Sequence, residues 1–236
     1  MLEAKKIFLT VFCLFLYIHI VKTASITSVS INNGKNYTNS RILSVSIVAD
    51  ADEMCFSCNS ENWTDWERYS KESTFLIGTS YGCSLEDGIK TVYVKVRDSE
   101  GEAIASDSII LDTKAPSIPS NVVATFDGNI VKVSWSASID ASGIEKYVIT
   151  VREFGKESRV FSRDLYSTET HYDHFALPRR KYCYTILAYD LAGNYSGYST
   201  EYCIATAFAG PSFNLYVLDA NMSSRDFNGV SYFHAE

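Results

Sequence analysis

Apolar and polar residues alternate along most of the chain. The segments "RILSVSIV", "TVYVKV", "NIVKVSW", "KYVITV" and "YCYTILAY" each place every second residue on one face. That period of two belongs to half-buried strands, and Gly, Asp and Asn gather between the segments as turns. No window carries a long apolar stripe of period 3.6 with helical caps. The 16 Tyr and 13 Phe, with abundant Ser and Thr, favour strand over helix. The pattern predicts an all-β fold built as sandwiches.

The N-terminus breaks the alternation. A basic start, MLEAKK, leads into the apolar run IFLTVFCLFLYIHIV and then into the small residues Thr23, Ala24 and Ser25. This is the layout of a signal peptide over residues 1–25, with cleavage after Lys22. Retention as an anchor is the alternative, although a span normally uses about 18 to 20 apolar residues. Phe12 stands before Cys13 where a lipoprotein signal carries a small residue, so no lipid anchor is expected. No later run is long enough to cross a membrane, which predicts no integral span after cleavage. The mature chain is expected to be secreted, extracellular or at the cell surface. The formal charge of -7 over the full sequence argues against nucleic acid or anionic lipid as partner.

Pro116 and Pro119 in "DTKAPSIPS" mark a joint. Around it the chain divides into a module over residues 26–113, a linker over 114–119, a second module over 120–207 and a tail over 208–236. Both modules carry a strand that ends in an acid and a glycine turn, "VYVKVRDSEG" and "YTILAYDLAG". The tail is too short for a third sandwich; its aromatics suggest a strand that adds to an exposed sheet edge, with a frayed end as the alternative.

In the second module Pro119, Trp135, Asp140, Gly143, Tyr147, Leu177, Pro178, Tyr182, Ala188, Asp190, Gly193 and Asn194 resemble, in order, the fibronectin type III pattern. The resemblance implies a core tryptophan at Trp135. It also implies a tyrosine corner formed by Leu177 and Tyr182, which join Trp135 as structural core residues, with the Tyr182 phenol bonding back to the backbone. The first module, with "INNGKNYTNS", "FSCNSENWTDWERY" and "DGIKTVYVKVRDSEG", resembles the immunoglobulin-like repeats of bacterial and archaeal surface proteins. Ser-Glu-Gly-Glu stands where that repeat usually carries Ala-Gly-Asn.

The cysteines test this arrangement. Of 6, Cys13 leaves with the signal, and in an exported chain disulfides are the first expectation for the others. Cys183 and Cys203 lie symmetrically about Gly193, so a hairpin centred there brings them face to face and closes a loop of about 20 residues. The fibronectin-like alternation sends Tyr182, Tyr184, Ile186 and Ala188 inward, which implies a surface staple at Cys183. In the first module the sandwich topology favours Cys58 with Cys83; Cys55 with Cys83 stays open as the alternative. Either choice leaves one cysteine unpaired. "CFSC" is not read as a zinc half-site or redox pair, because no second ligand pair or βαβ pattern accompanies it.

Candidate chemistry is sparse. "HYDH" offers His171, Asp173 and His174, but strand alternation sends His174 to the opposite face. There is no Gly-x-Ser-x-Gly elbow, phosphate-cradling glycine loop or His-Glu-x-x-His helix, so no enzyme and no cofactor is expected. Calcium is a minority reading, in which Asp50, Asp52 and Glu53 meet Asp98, Glu100 and Glu102 at one end of the first sandwich. The competing reading is solvated loop charge. Asn36, Asn62, Asn194 and Asn221 begin Asn-x-Ser/Thr sequons, possible glycosylation sites in an exporting host. The segment "AYDLAGNYSGYS" reads as a hairpin turn, with Gly193 taking a positive φ and Asp190 and Asn194 bonding the local backbone.

The resemblance of the tandem modules to these sandwich families implies a non-catalytic binding, adhesion or spacer protein, with protein or glycan at the cell surface as partner. The alternative is a carbohydrate- or substrate-binding accessory unit of a secreted enzyme system.

Overall fold

A computed structural model describes residues 23–154, 159–166, 169–207, 216–218 and 224–226. The chain separates into two compact units, Met1–Thr113 and Lys114–Glu236. The proposed signal, including Cys13, and most of the tail lie outside the described residues.

The first unit comprises β1 (Ser25–Ile31), β2 (Tyr37–Thr38), β3 (Ile42–Asp50), β4 (Glu53–Ser57), β5 (Glu67–Arg68), β6 (Glu72–Leu76), β7 (Gly88–Arg97) and β8 (Glu102–Leu111). They form a three-stranded sheet, β1-β3-β6, and a five-stranded sheet, β2-β8-β7-β4-β5. The alternation in the sequence decides which side chains meet between the sheets. Leu43, Val45 and Ile47 of β3 and Phe75 of β6 pack in one core with Met54 and Phe56 of β4 and Val92, Val94 and Val96 of β7. Burying a side chain of this size contributes about 1.5 to 3 kcal/mol.

The second unit comprises β9 (Ser120–Asp127), β10 (Ile130–Ser136), β11 (Ile144–Glu153), β12 (Arg159–Tyr166), β13 (His171–Phe175), β14 (Lys181–Asp190) and β15 (Tyr202–Ala205). Its sheets run β13-β10-β9 and β12-β11-β14-β15. Val131, Val133 and Trp135 of β10 meet Tyr147, Ile149 and Val151 of β11 and Tyr182, Tyr184, Ile186 and Ala188 of β14. The ring of Trp135 stands edge-on to that of Tyr147 at 5.5 Å, the favourable orientation of two aromatic quadrupoles.

The tyrosine corner is present, but its chemistry is not that of two core side chains. The backbone N–H of Leu177 donates to the Tyr182 hydroxyl at 3.3 Å, while the Leu177 side chain is 55% exposed. Neighbouring Ala176 is the residue that enters the core. Assigning Leu177 to the core is therefore corrected: the corner uses its amide, not its isobutyl group. Thr206 secures the same region, its hydroxyl donating to Leu177 O at 2.6 Å and accepting from Arg180 N at 3.0 Å.

In the tail, β16 (Tyr216–Leu218) pairs antiparallel with β17 (Ser224–Asp226).

Candidate functional site

The turn at "DLAGN" is organised around its acid, with Leu191 N donating to Gly143 O at 3.1 Å. Asp190 is fully buried, and its Oδ1 accepts from the N–H groups of Gly193 at 2.7 Å and Asn194 at 2.8 Å. Its Oδ2 accepts from Asn194 Nδ2 at 2.8 Å. Gly193 adopts φ +98, a conformation that glycine takes without steric cost.

Cys183 and Cys203 face each other across β14 and β15 and are bonded, with Cα atoms 4.0 Å apart. The hairpin is not symmetric about Gly193, however. Tyr189 pairs with Tyr195, so six residues separate 183 from 189 on β14 whereas eight separate 195 from 203 on the return. The two extra residues lie in a stretch where serine hydroxyls replace backbone carbonyls as acceptors: Ser196 Oγ takes the Ala188 N–H and Ser199 Oγ the Ile186 N–H, each at 3.0 Å. The surface-staple expectation also needs correction. Cys183 points away from the core yet is only 1% exposed. It lies in an interior strand opposite Arg152, and Arg152 holds Glu201 with two hydrogen bonds of 2.6 Å.

In the first unit Cys58 and Cys83 are bonded, with Cα atoms 5.0 Å apart. Alternation along β4 explains the choice over Cys55. Met54 and Phe56 point inward with Cys58 beside the same core, so Cys55 faces outward. Cys55 is nevertheless buried as a free thiol, and burial pushes its pKa up to about 11. Native protein at about pH 8 should therefore resist alkylation at Cys55, whereas the denatured, non-reduced chain should react there. Mass spectrometry of the labelled peptide checks this.

The acids of the calcium reading do not gather. Among the described residues no three of them bring carboxylate oxygens within 4.8 Å of one another. Glu53 binds Arg97 at 2.6 Å and Glu102 lies 3.8 Å from Lys95. Asp98 closes its own turn by accepting from Glu100 N at 2.8 Å and Gly101 N at 2.9 Å. Asp50, Asp52 and Glu100 are exposed. Of the sequons, Asn36 and Asn62 are exposed, Asn194 is half-buried in the turn described above, and Asn221 lies outside the described residues.

"HYDH" is strand β13, with His171 and Asp173 exposed and His174 buried. His174 Nδ1 lies 2.8 Å from the Tyr184 hydroxyl, and its ring is edge-on to Tyr182 at 4.8 Å. Burial opposes the imidazolium and lowers the His174 pKa from 6.5; it raises that of the Tyr184 phenol. Because the unfolded chain takes up this proton first, His174 favours folding fully above about pH 6.5 and loses that contribution as pH falls below it. Melting curves between about pH 7 and 5 should show the second unit losing stability, with a smaller loss in His174→Gln.

A feature not read from the sequence lies on the outer face of the five-stranded sheet. After Cys58 the chain turns back along the side of β4 away from β7, leading into β5: Thr64 N donates to Phe56 O at 2.8 Å, and Phe56 N to Thr64 Oγ1 at 3.0 Å. Asn59 holds the loop by accepting from Glu61 N and Asn62 N at 3.0 and 2.9 Å. Gly82, at φ +76, leaves room for the Asn59 carboxamide that a Cβ would strike.

This path carries two indoles over β4 towards β7. Lys95 Nζ lies 4.3 Å from the Trp63 ring centroid, and the Arg97 guanidinium carbon 4.1 Å from that of Trp66. Both contacts are cation–π attractions, worth about 0.5 to 2 kcal/mol according to exposure. Cys55 is paired with Lys95 in the β4–β7 ladder, on the face these groups cover. In the sequence, "NWTDWERY" offered no periodicity that located its rings, and a spacing of three places two side chains on opposite faces of a regular strand.

The second unit has a groove of about 530 Å³ between residues 118–122 and 198–202, lined in part by Ile118, Val122, Tyr198 and Tyr202. No described helix is long and apolar enough to cross a membrane.

Comparison with solved structures supports the architecture. The FN1–FN3 domains of chicken CNTN1 match with 16% identity and a TM-score of 0.51, over 77% of this chain and 64% of theirs. Titin domains A168–A170 match with 17% identity and a TM-score of 0.52, over 79% of this chain and 67% of theirs. The chain thus spans less than two thirds of the CNTN1 structure. At such identities the likeness concerns fold: this is an all-β protein of β-sandwich units of the fibronectin type III and immunoglobulin-like kind. No protein-family model and no curated protein matches the sequence.

Proposed function

We propose that the chain is a secreted or cell-surface, non-catalytic protein that binds or adheres through its sandwich units. In this reading residues 1–25 are a cleaved signal, and residues 26–113 are an immunoglobulin-like module of the kind repeated on microbial surface proteins. Residues 120–207 are the fibronectin type III-like module. The observation that carries the binding role is the aromatic and cationic array on the outer sheet face, where Trp63, Trp66, Lys95 and Arg97 sit outside the core that stabilises the sandwich. The two disulfides agree with an oxidising compartment. His174, Asp190 and the paired cysteines have structural partners, which supports a non-catalytic role.

Expression with residues 1–25 in place tests export. The expected result is a released chain whose N-terminus lies somewhere beyond Lys22 and which cosediments with intact cells. Retention of the full chain in the membrane fraction would count against it.

A further inference from the structure

Resting on the binding role above, we propose that the outer face of β4, β7 and β8 in the first unit binds a neutral glycan chain. Three features of this face fit that class of ligand together.

The first is charge balance. Arg97 is bonded to Glu53 at 2.6 Å, and Lys95 lies 3.8 Å from Glu102. Two cations and two carboxylates therefore neutralise one another beside the indoles. Such a face exerts little net attraction on a polyanion or polycation, but it offers charged hydrogen-bonding groups to neutral hydroxyls.

The second is the order of side chains along the strands. Beyond the indoles, Tyr93 is paired with Ser106 and Thr91 with Ser108 in the β7–β8 ladder. The Thr91 and Ser108 hydroxyl oxygens are 2.9 Å apart. Side chains at alternate positions share a face, so an aromatic area continues into a strip of hydroxyls. Ile104 and Ile89, 53% and 72% exposed, border that strip. A pyranose ring has a face of C–H bonds and a rim of hydroxyls; the first suits a half-buried indole and the second suits Ser, Thr and Tyr, which both donate and accept. From Arg97 to Thr91 the strip extends about 20 Å at about 3.4 Å per residue, room for about four sugar rings of about 5 Å each.

The third is rigidity. Stacking and ion pairing already hold the tryptophans and cations, so binding costs less side-chain entropy.

Affinity electrophoresis of the disulfide-intact protein in gels containing mannan, dextran, galactan or soluble β-glucan tests the proposal, with heparin gels alongside. Retardation is expected in at least one neutral gel, and less in heparin. Trp63→Ala should weaken that retardation at least about tenfold, as loss of an aromatic anchor does. Because Trp63→Ala also removes packing over Cys55, Ser106→Lys serves as the second variant: Ser106 is exposed, so this change should leave the melting temperature unaltered and still abolish retardation. No retardation in any neutral gel, stronger retardation by heparin, or full retention by Ser106→Lys would overturn the glycan assignment. Treating cells of the producing organism separates the two levels of the reading. Binding lost after periodate oxidation but kept after protease supports the glycan. Binding kept after periodate and lost after protease overturns the glycan while leaving a binding role intact, and no binding to untreated cells overturns both.

Discussion

Replacing Tyr147 by alanine is expected to bring the second unit close to unfolding. Tyr147 is fully buried, packs edge-on against Trp135 and accepts the Ser138 N–H at its hydroxyl at 2.8 Å. Removing a large aromatic side chain from a core costs about 3 to 5 kcal/mol, and the orphaned amide adds about 1 to 3 kcal/mol. A domain of this size has only about 5 to 15 kcal/mol in total. Tyr147→Phe should cost only the hydrogen-bond portion. Urea titration followed by tryptophan fluorescence distinguishes the two changes. Trp135 is the tryptophan of the second unit, whereas Trp63 and Trp66 belong to the first, so loss confined to the Trp135 signal is the expected signature.

The second large effect is expected from Cys183→Ala combined with Cys203→Ala. The bridge spans a sequence separation of 20, and closing a loop of that length restricts the unfolded chain by about 3 kcal/mol. The effect should be felt most at β15, a strand of four residues at the sheet edge. Hydrogen exchange should accelerate at Tyr202–Ala205 first, with the Thr206 anchor opening later because its hydroxyl and amide are tied to Leu177 and Arg180. An unchanged urea midpoint in the double variant would refute the assigned contribution of the bridge.

The strands and cores were legible because one physical rule governs them. Alternation locates Val92, Val94 and Val96, or Val131, Val133 and Trp135, without knowledge of their partners. What alternation could not convey is how the outer faces are covered. Cys183 and Cys55 both point away from a core, yet both are buried, one opposite Arg152 in an interior strand and the other opposite Lys95. Symmetry about Gly193 brought the cysteines together but missed the two extra residues at Ser196 to Ser199, where hydroxyls substitute for carbonyl acceptors. The motif names Leu177, yet the corner needs only its amide and leaves its side chain exposed. The Trp63 and Trp66 array depends on the loop after Cys58 folding back along β4 and on contacts with Lys95 and Arg97 of β7, which alternation within one segment does not encode.

A surface-binding, non-catalytic role is tested most directly by adding the labelled, disulfide-intact chain to intact cells and measuring both bound protein and released polymer over time. Saturable, reversible binding is expected, with the cell-surface polymers unchanged in size. Absence of saturable binding, or steady release of fragments that depends on the chain, would contradict it.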